Sequence, residues 1–471
     1  ILAKQLPNYV VYSDKVDNPG EIMQVSEFKR ILEIGLGRAI LFLQTHDATP
    51  YREAILEACL HDTRYDGQAE SRRATYLFDV IAQTGFQEFY REPILQALEI
   101  ASDPNTYDSL QLNDLATNFA DQGDQAARRL VYDQFVAHLT SDDWGDVTRA
   151  HNLISLDGTD GFLFAVEQFG KRLPACSEQE PPYWFPSLEK NWDDDERTYW
   201  DAAIQRAADN PHLAAYVAFE QERRANQKTK TSRRKPLSFM SYDQLKPKIT
   251  HRTTEYGLAT WGERANEADL ECAANDLLAL AEQTDILLLR KYVCIFRERR
   301  FPLDPQKLID LASQARHEPP SYDEDDRFTP QSRLILTALN ALGNVSHPEV
   351  RQLAFELVEG RQWIAHAAIL LKSNWQNSDW SVLEALTQET FEPYDYHGLG
   401  MDIRELFEAH PEPKAAQTLI NLYEYGPCSE CREHYVKALD SIQAVPEWMR
   451  AECRYDADHD LREWAAGVLR D

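Results

Sequence analysis

Two cysteines three residues apart, Cys428 and Cys431, stand close to His434, with Cys453 and His459 further along. Thiol and imidazole are the ligand types of a structural zinc site, and on a helix this spacing lets both sulfurs reach one ion. A usual zinc module repeats the paired spacing, whereas here the second half supplies one cysteine and a distant histidine. Cysteine is also among the most buried residue types and packs as a small hydrophobe. Core packing of the last helices is therefore the expected role, with the metal set of Cys428, Cys431, His434 and Cys453 kept as the weaker reading. The pairs His46-Asp47 and His61-Asp62 have residue types used by metal-dependent phosphohydrolases. They fall at expected helix ends, where imidazolium complements the dipole and aspartate caps the next helix. The acidic runs Asp193–Glu196 and Asp323–Asp326 lack the glycine-punctuated alternation of a calcium loop. No phosphate-binding loop, dinucleotide fingerprint, nucleophile elbow or His-Glu-x-x-His pattern occurs. No catalytic residue and no cofactor is assigned, and a non-catalytic role is favoured.

Recognition chemistry has better candidates. Trp184, Trp192 and Trp200 lie in an aromatic and acidic stretch, and Trp375, Trp380, Tyr394 and Tyr396 in a turn-rich one. Tryptophan and tyrosine dominate binding hot spots, so both stretches are expected to offer anchors, or else to pack over the helices beside them. The one basic run extends from Arg223 and Arg224 through Lys228, Lys230, Arg233, Arg234 and Lys235 to Lys246 and Lys248. Aromatic residues do not interleave with its cations between Arg223 and Lys235, which argues against single-strand binding. A polar loop is its simplest reading, with docking onto an acidic face as the second.

The elements that must position these residues are helices. From Phe28 through Leu43 the apolar and small residues Phe28, Ile31, Leu32, Gly35, Leu36, Ala39, Ile40 and Leu43 follow one helical stripe. On that reading Gly35-Leu36-Gly37 lies inside the stripe. Thr49-Pro50 then opens a second stripe through Tyr51, Ala54, Ile55 and Ala58. The clearest unit runs from Thr329 to Gly360. Thr329-Pro330 opens the stripe Leu334, Ile335, Ala338, Leu339 and Leu342, and Gly343-Asn344 is expected to stop it in a left-handed turn. Ser346 with Glu349 has capping-box spacing, ahead of a second stripe at Val350, Leu353, Ala354, Leu357 and Val358. A proline-rich, aromatic and basic middle divides the chain, so the expected organisation is a helical array over 1–172, an atypical segment over 173–265 and a second array over 266–471.

The run His347-Pro348-Glu349-Val350-Arg351-Gln352-Leu353-Ala354 resembles the second helix of a HEAT repeat. Asp460-Leu461-Arg462-Glu463-Trp464-Ala465 is similar, and Asp124-Gln125-Ala126-Ala127-Arg128 and Tyr51-Arg52-Glu53-Ala54 are weaker versions. The stretch Pro427-Cys428-Ser429-Glu430-Cys431-Arg432, with Pro446-Glu447-Trp448 and Glu452-Cys453-Arg454, resembles the terminal repeats of bacterial HEAT-like proteins. In such repeats the alanine lets helices approach and the arginine reaches a carboxylate or carbonyl of the neighbouring repeat. The resemblance covers about half the chain and implies an all-α fold, an α-solenoid of divergent HEAT/armadillo-like hairpins. Unit spacing is irregular, near 40 residues early and about 63 between Pro348 and Pro411. HEAT-like folds also include a DNA-glycosylase group and the lyases that attach bilins to phycobiliproteins, which stand as alternative activities.

Composition bears on the partner. In 471 residues, 49 Lys and Arg against 78 Asp and Glu leave a net charge of −29. Such a chain repels duplex DNA and anionic membrane surfaces. It suits a basic protein or peptide, or simply a well-solvated surface. The apolar stretches at 34–43 and 286–296 are interrupted by Arg38, Arg290 and Lys291, short of the ~18 apolar residues that span a bilayer. Seven scattered cysteines do not resemble a disulfide framework, and a cytoplasmic location is expected.

Overall fold

The computed structural model describes residues 23–139, 144–173, 195–229, 237–281, 285–322 and 328–467. These residues are all-helical: the β pairing among them is one isolated bridge between Tyr322 and Phe328. They form two compact units, one of residues 1–231 with 446–471, the other of residues 232–445.

In both units helices pack on the second neighbour along the chain as well as on the first. In the first unit Arg73–Thr84 packs on Tyr107–Asp121, which packs on Trp144–Asp157. In the second the series runs Glu255–Arg264, Ile286–Cys294, Pro330–Leu342, Ile364–Ala367, Pro393–Ala409 and Ser429–Ser441. Of the intervening helices, Gln306–Ser313 contacts Pro348–Gly360 and Asp379–Thr387 contacts Ala416–Tyr425. Each amphipathic helix thus buries its stripe against near neighbours in sequence.

Pro330–Leu342 and Pro348–Gly360 bury every stripe residue expected of them. Thr329 caps the first by accepting from the Ser332 amide, with Pro330 in the first turn. Two details differ. Gly343 has φ −55°, so it is not a left-handed stop; a Cβ there would stand 3.0 Å from Ile369 Cγ1, and the glycine serves close packing. The second cap is His347, whose side chain accepts from Glu349 N, in place of Ser346. Pro348, with no N–H to satisfy, takes the first helical position and moves the boundary along by one.

The stripe from Phe28 to Leu43 is two helices, Val25–Ile34 and Arg38–Leu43. Gly35 ends the first at φ +79°, a conformation that suits glycine. The Gly35–Gly37 turn then receives the chain's last helices. Gly35 O accepts from the Ala457 amide at 2.9 Å, and a Cβ on Gly37 would stand 2.0 Å from the Glu452 carbonyl oxygen. Beside this contact Arg38 and Glu452 form an ion pair at 2.5 Å, with side chains 7% and 2% exposed, and Trp448 lies 5.4 Å from the guanidinium. Arg462 reaches Asp79 at 2.8 Å and Ser71 Oγ donates to Asp458 at 3.3 Å. The linear order of helices gives no sign that 446–467 joins the first unit.

Three arginines of the motifs noted in the sequence reach carboxylates of other helices. Arg351 holds Asp379 through both terminal nitrogens, at 2.7 and 2.8 Å. Arg128 pairs with Asp157, and Arg462 with Asp79. Lys29–Glu57 and Arg361–Glu389 repeat the 28-residue separation of Arg351–Asp379.

Glu452→Ala leaves the buried Arg38 guanidinium without its carboxylate and is expected to destabilise the first unit by about 3–5 kcal/mol. Replacing both partners (Arg38→Met with Glu452→Leu) is expected to recover most of that loss. Urea denaturation with hydrogen exchange over 23–60 measures both; an unchanged midpoint in Glu452→Ala would show that the pair does not hold the terminal helices.

Candidate functional site

An exposed aromatic assembly in the second unit begins at a short extended pairing. Tyr322 and Phe328 form the isolated bridge, the Thr329 amide donates to Ser321 O at 2.9 Å, and the Ser321 amide donates to Ser332 Oγ at 3.0 Å. This holds the Tyr322 and Phe328 rings stacked, centroids 4.8 Å apart and planes 22° apart. Phe328 stacks in turn on Trp363 at 6.1 Å and 13°.

Trp363 sits in the left-handed region with φ 51°, two residues after Arg361 at φ 53°. Both are non-glycine residues, for which that backbone is costly and needs holding from elsewhere. The holding contacts are visible. The Trp363 indole N–H donates to Glu318 O at 2.8 Å, its ring is 2% exposed, and Arg361 Nε donates to Glu389 at 2.7 Å. Tyr394, in the first turn of Pro393–Ala409, sets its ring edgewise to Phe328 at 6.0 Å and to His366 at 6.2 Å. Its hydroxyl lies 3.3 Å from His366 Nε2.

The result is a rigid aromatic surface whose outer members, Tyr322 and Tyr394, are 49% and 41% exposed. Carboxylates lie beside it, and guanidinium groups are near as well: Arg333 Nε donates to Phe328 O at 3.0 Å, and Arg297 acts on His366. Burial, with the charge of Glu392 behind it, raises the Asp395 carboxyl above its ordinary range. Burial and the Asp395 charge raise the Tyr322 hydroxyl. Ring faces beside carboxylates attract an ammonium or guanidinium group. Sequence spacing does not reveal this assembly, because its members come from 322, 328, 363 and 394; Tyr394 alone stands out beforehand, as part of an aromatic-rich connection.

The other expected anchors sit differently. Trp184 and Trp192 lie outside the described residues, as do Asp323–Asp326. Trp200 is half-buried in the first unit, its ring 5.0 Å from the Arg224 guanidinium. Trp375 packs on Trp380 at 4.8 Å and on His410 at 5.2 Å. Trp380 is 1% exposed. Tyr396 is 5% exposed and donates to Thr387 O at 2.8 Å. Of the basic run, Arg223 and Arg224 both bind the buried Glu220, and Lys246 binds Asp276 at 2.7 Å. Asp47 accepts from Thr49 N at 3.0 Å and His61 follows directly on Arg52–Leu60, but the cap of Thr49–Tyr51 is Ala48, and Asp62 pairs with Arg64 at 2.6 Å instead of capping Arg73–Thr84.

Cys428 and Cys431 are both buried and lie together, joined by His397 in place of His434. A hydrogen bond with Cys428, with burial behind it, pushes the Cys431 thiol well above its ordinary range. Cys453 is fully buried in the first unit, and His459 there pairs with Glu463 at 3.2 Å. Comparison with protein-family models, with curated proteins and with solved structures finds no match.

His366 supplies a pH test of the aromatic site. Burial, with Arg297 nearby, holds its imidazole down at about 4, against about 6.5 when unfolded. Between those values the unfolded chain binds a proton that the folded one does not, so stability is complete above pH 6.5 and declines as pH falls towards 4. NMR titration should find His366 neutral at pH 6, with His366→Gln flattening the acid dependence of the second unit's melting. An imidazole titrating near 6.5 would show that the ring is not enclosed against Tyr394.

Proposed function

We propose that this chain is a non-catalytic protein-binding scaffold, an α-solenoid of divergent HEAT/armadillo-like hairpins in each unit, that takes a basic protein or peptide segment. We place it, on this reading, in the bacterial cytoplasm. Second-neighbour helix packing supports the repeat reading, as do the motif arginines and the 28-residue recurrence of ion pairs. In a solenoid each hairpin covers its apolar face with its neighbours and leaves an extended surface for a partner. The observation that carries the partner assignment is the stack of Tyr322, Phe328 and Trp363 with Tyr394 against it, exposed at two rings and set beside Asp395. Lysine or arginine side chains of the partner would lie over the rings and meet the carboxylates at their edge. The net charge of −29 draws such a segment in from a distance.

Calorimetric titration with an Arg/Lys-rich peptide is expected to show binding that weakens as salt rises. Tyr322→Ala and Tyr394→Ala should each lower affinity about tenfold, with thermal melts confirming that both variants fold. Absence of binding at low salt, or folded variants that bind as the parent does, would remove this assignment.

A further inference from the structure

The second unit also brings together four donor atoms that aromatic recognition does not use. Two helices supply them in pairs. On Pro393–Ala409, His397 and Met401 are four residues apart and so lie on one face. On Ser429–Ser441, Cys428 is the cap residue and Cys431 lies in the first turn. The helices pack on each other, and Gly400 lets them close up: a Cβ there would stand 2.1 Å from the Tyr435 hydroxyl.

Cys431 Sγ lies 3.3 Å from His397 Nε2 and 3.7 Å from Met401 Sδ. The two cysteine sulfurs and a ring nitrogen of His397 all fall within 4.8 Å of one another. These separations can be compared with a coordination shell. With metal–sulfur bonds near 2.3 Å and metal–nitrogen bonds of about 2.0–2.1 Å, the edges of a tetrahedron are about 3.8 Å between sulfurs and about 3.6 Å between sulfur and nitrogen. Both measured pairs sit within a few tenths of an ångström of those edges. Cys428 and Cys431 are in no disulfide and are 3% and 8% exposed. His397 and Met401 are half-buried, which leaves a path for an ion from solvent.

We propose that Cys428, Cys431, His397 and Met401 form a binding site for a single soft metal ion, with preference for Cu(I) over Zn(II). Two thiolates and an imidazole suit either ion, and the thioether is what selects Cu(I), because methionine sulfur is a soft donor that zinc sites do not use. Binding replaces the two thiol protons, which pass to solvent, and leaves the oxidation state of the copper unchanged.

The test uses the full chain, reduced and kept free of oxygen, titrated with Cu(I) against a chromogenic Cu(I) chelator and separately with Zn(II) against a zinc indicator. One Cu(I) per chain should be withheld from the chelator. Cys428→Ser with Cys431→Ser should abolish retention, and Met401→Leu should weaken Cu(I) binding at least tenfold while leaving Zn(II) binding unchanged. Copper-edge X-ray absorption should show sulfur and nitrogen neighbours. Thermal melts in chelator control for folding: parent and variants should then melt alike, and Cu(I) should raise the melting temperature of the parent, less that of Met401→Leu, and not that of the double-serine variant. Equal retention by parent and double-serine variant would overturn the site. Tighter Zn(II) than Cu(I) binding, or no effect of Met401→Leu, would overturn the assignment of Met401 and the preference for copper.

Discussion

Most of the described helices are too short to persist by themselves. Pro330–Leu342 and Pro348–Gly360 have 13 residues each, and isolated helices shorter than about 12–15 residues are marginal in water. Each depends on covering its apolar stripe with other helices. That constraint accounts for the second-neighbour packing in both units. It also accounts for small residues at crossings, since a glycine such as Gly343 or Gly400 lets a facing side chain come close enough to complete the cover. Caps, ion pairs and turns then settle which helix meets which.

The buried polar contacts act as register marks on this apolar packing. Arg351 cannot keep both bonds to Asp379 if its helix slides by a residue, and Asp379 is 1% exposed, so water does not replace the lost partner. At the Gly35–Gly37 turn the same logic operates over a long sequence separation. Backbone passes too close for any side chain on Gly37, and Arg38 and Glu452 neutralise each other beside it. A buried charge pair adds little net stability, yet its members tolerate no other partner well, which makes the contact selective.

The two sites of the second unit draw on that rigidity in different ways. The aromatic surface rests on a strained connection, with Arg361 and Trp363 both in left-handed conformations, held by the Glu318 carbonyl and Glu389. Its outward chemistry is ring faces beside acid groups. The Cys428, Cys431, His397 and Met401 cluster is inward and soft, and sits where two helices converge. Neither requires the other: one is proposed to meet a charged partner from solvent, the other to take a small ion into the packing.

The sequence by itself determined the helices, their buried stripes and the Thr329 cap. These depend on residues within a few turns of one another, where the helical period and capping chemistry are local. It misplaced the Ser346 cap by one residue and read through the Gly35 break, because a proline or glycine alters backbone geometry without changing the apolar period. Of the metal candidates it paired Cys428 with Cys431, which share a helix start, but could not find His397 and Met401, some thirty residues earlier. Of the aromatic surface it singled out Tyr394 alone. Whether a tryptophan faces water or its neighbours, as Trp380 does, depends on which helix lies across it. Tertiary structure decided those juxtapositions, and the return of 446–467 to the first unit, because contacts between distant segments are set by the complementarity of whole surfaces, which no local spacing records.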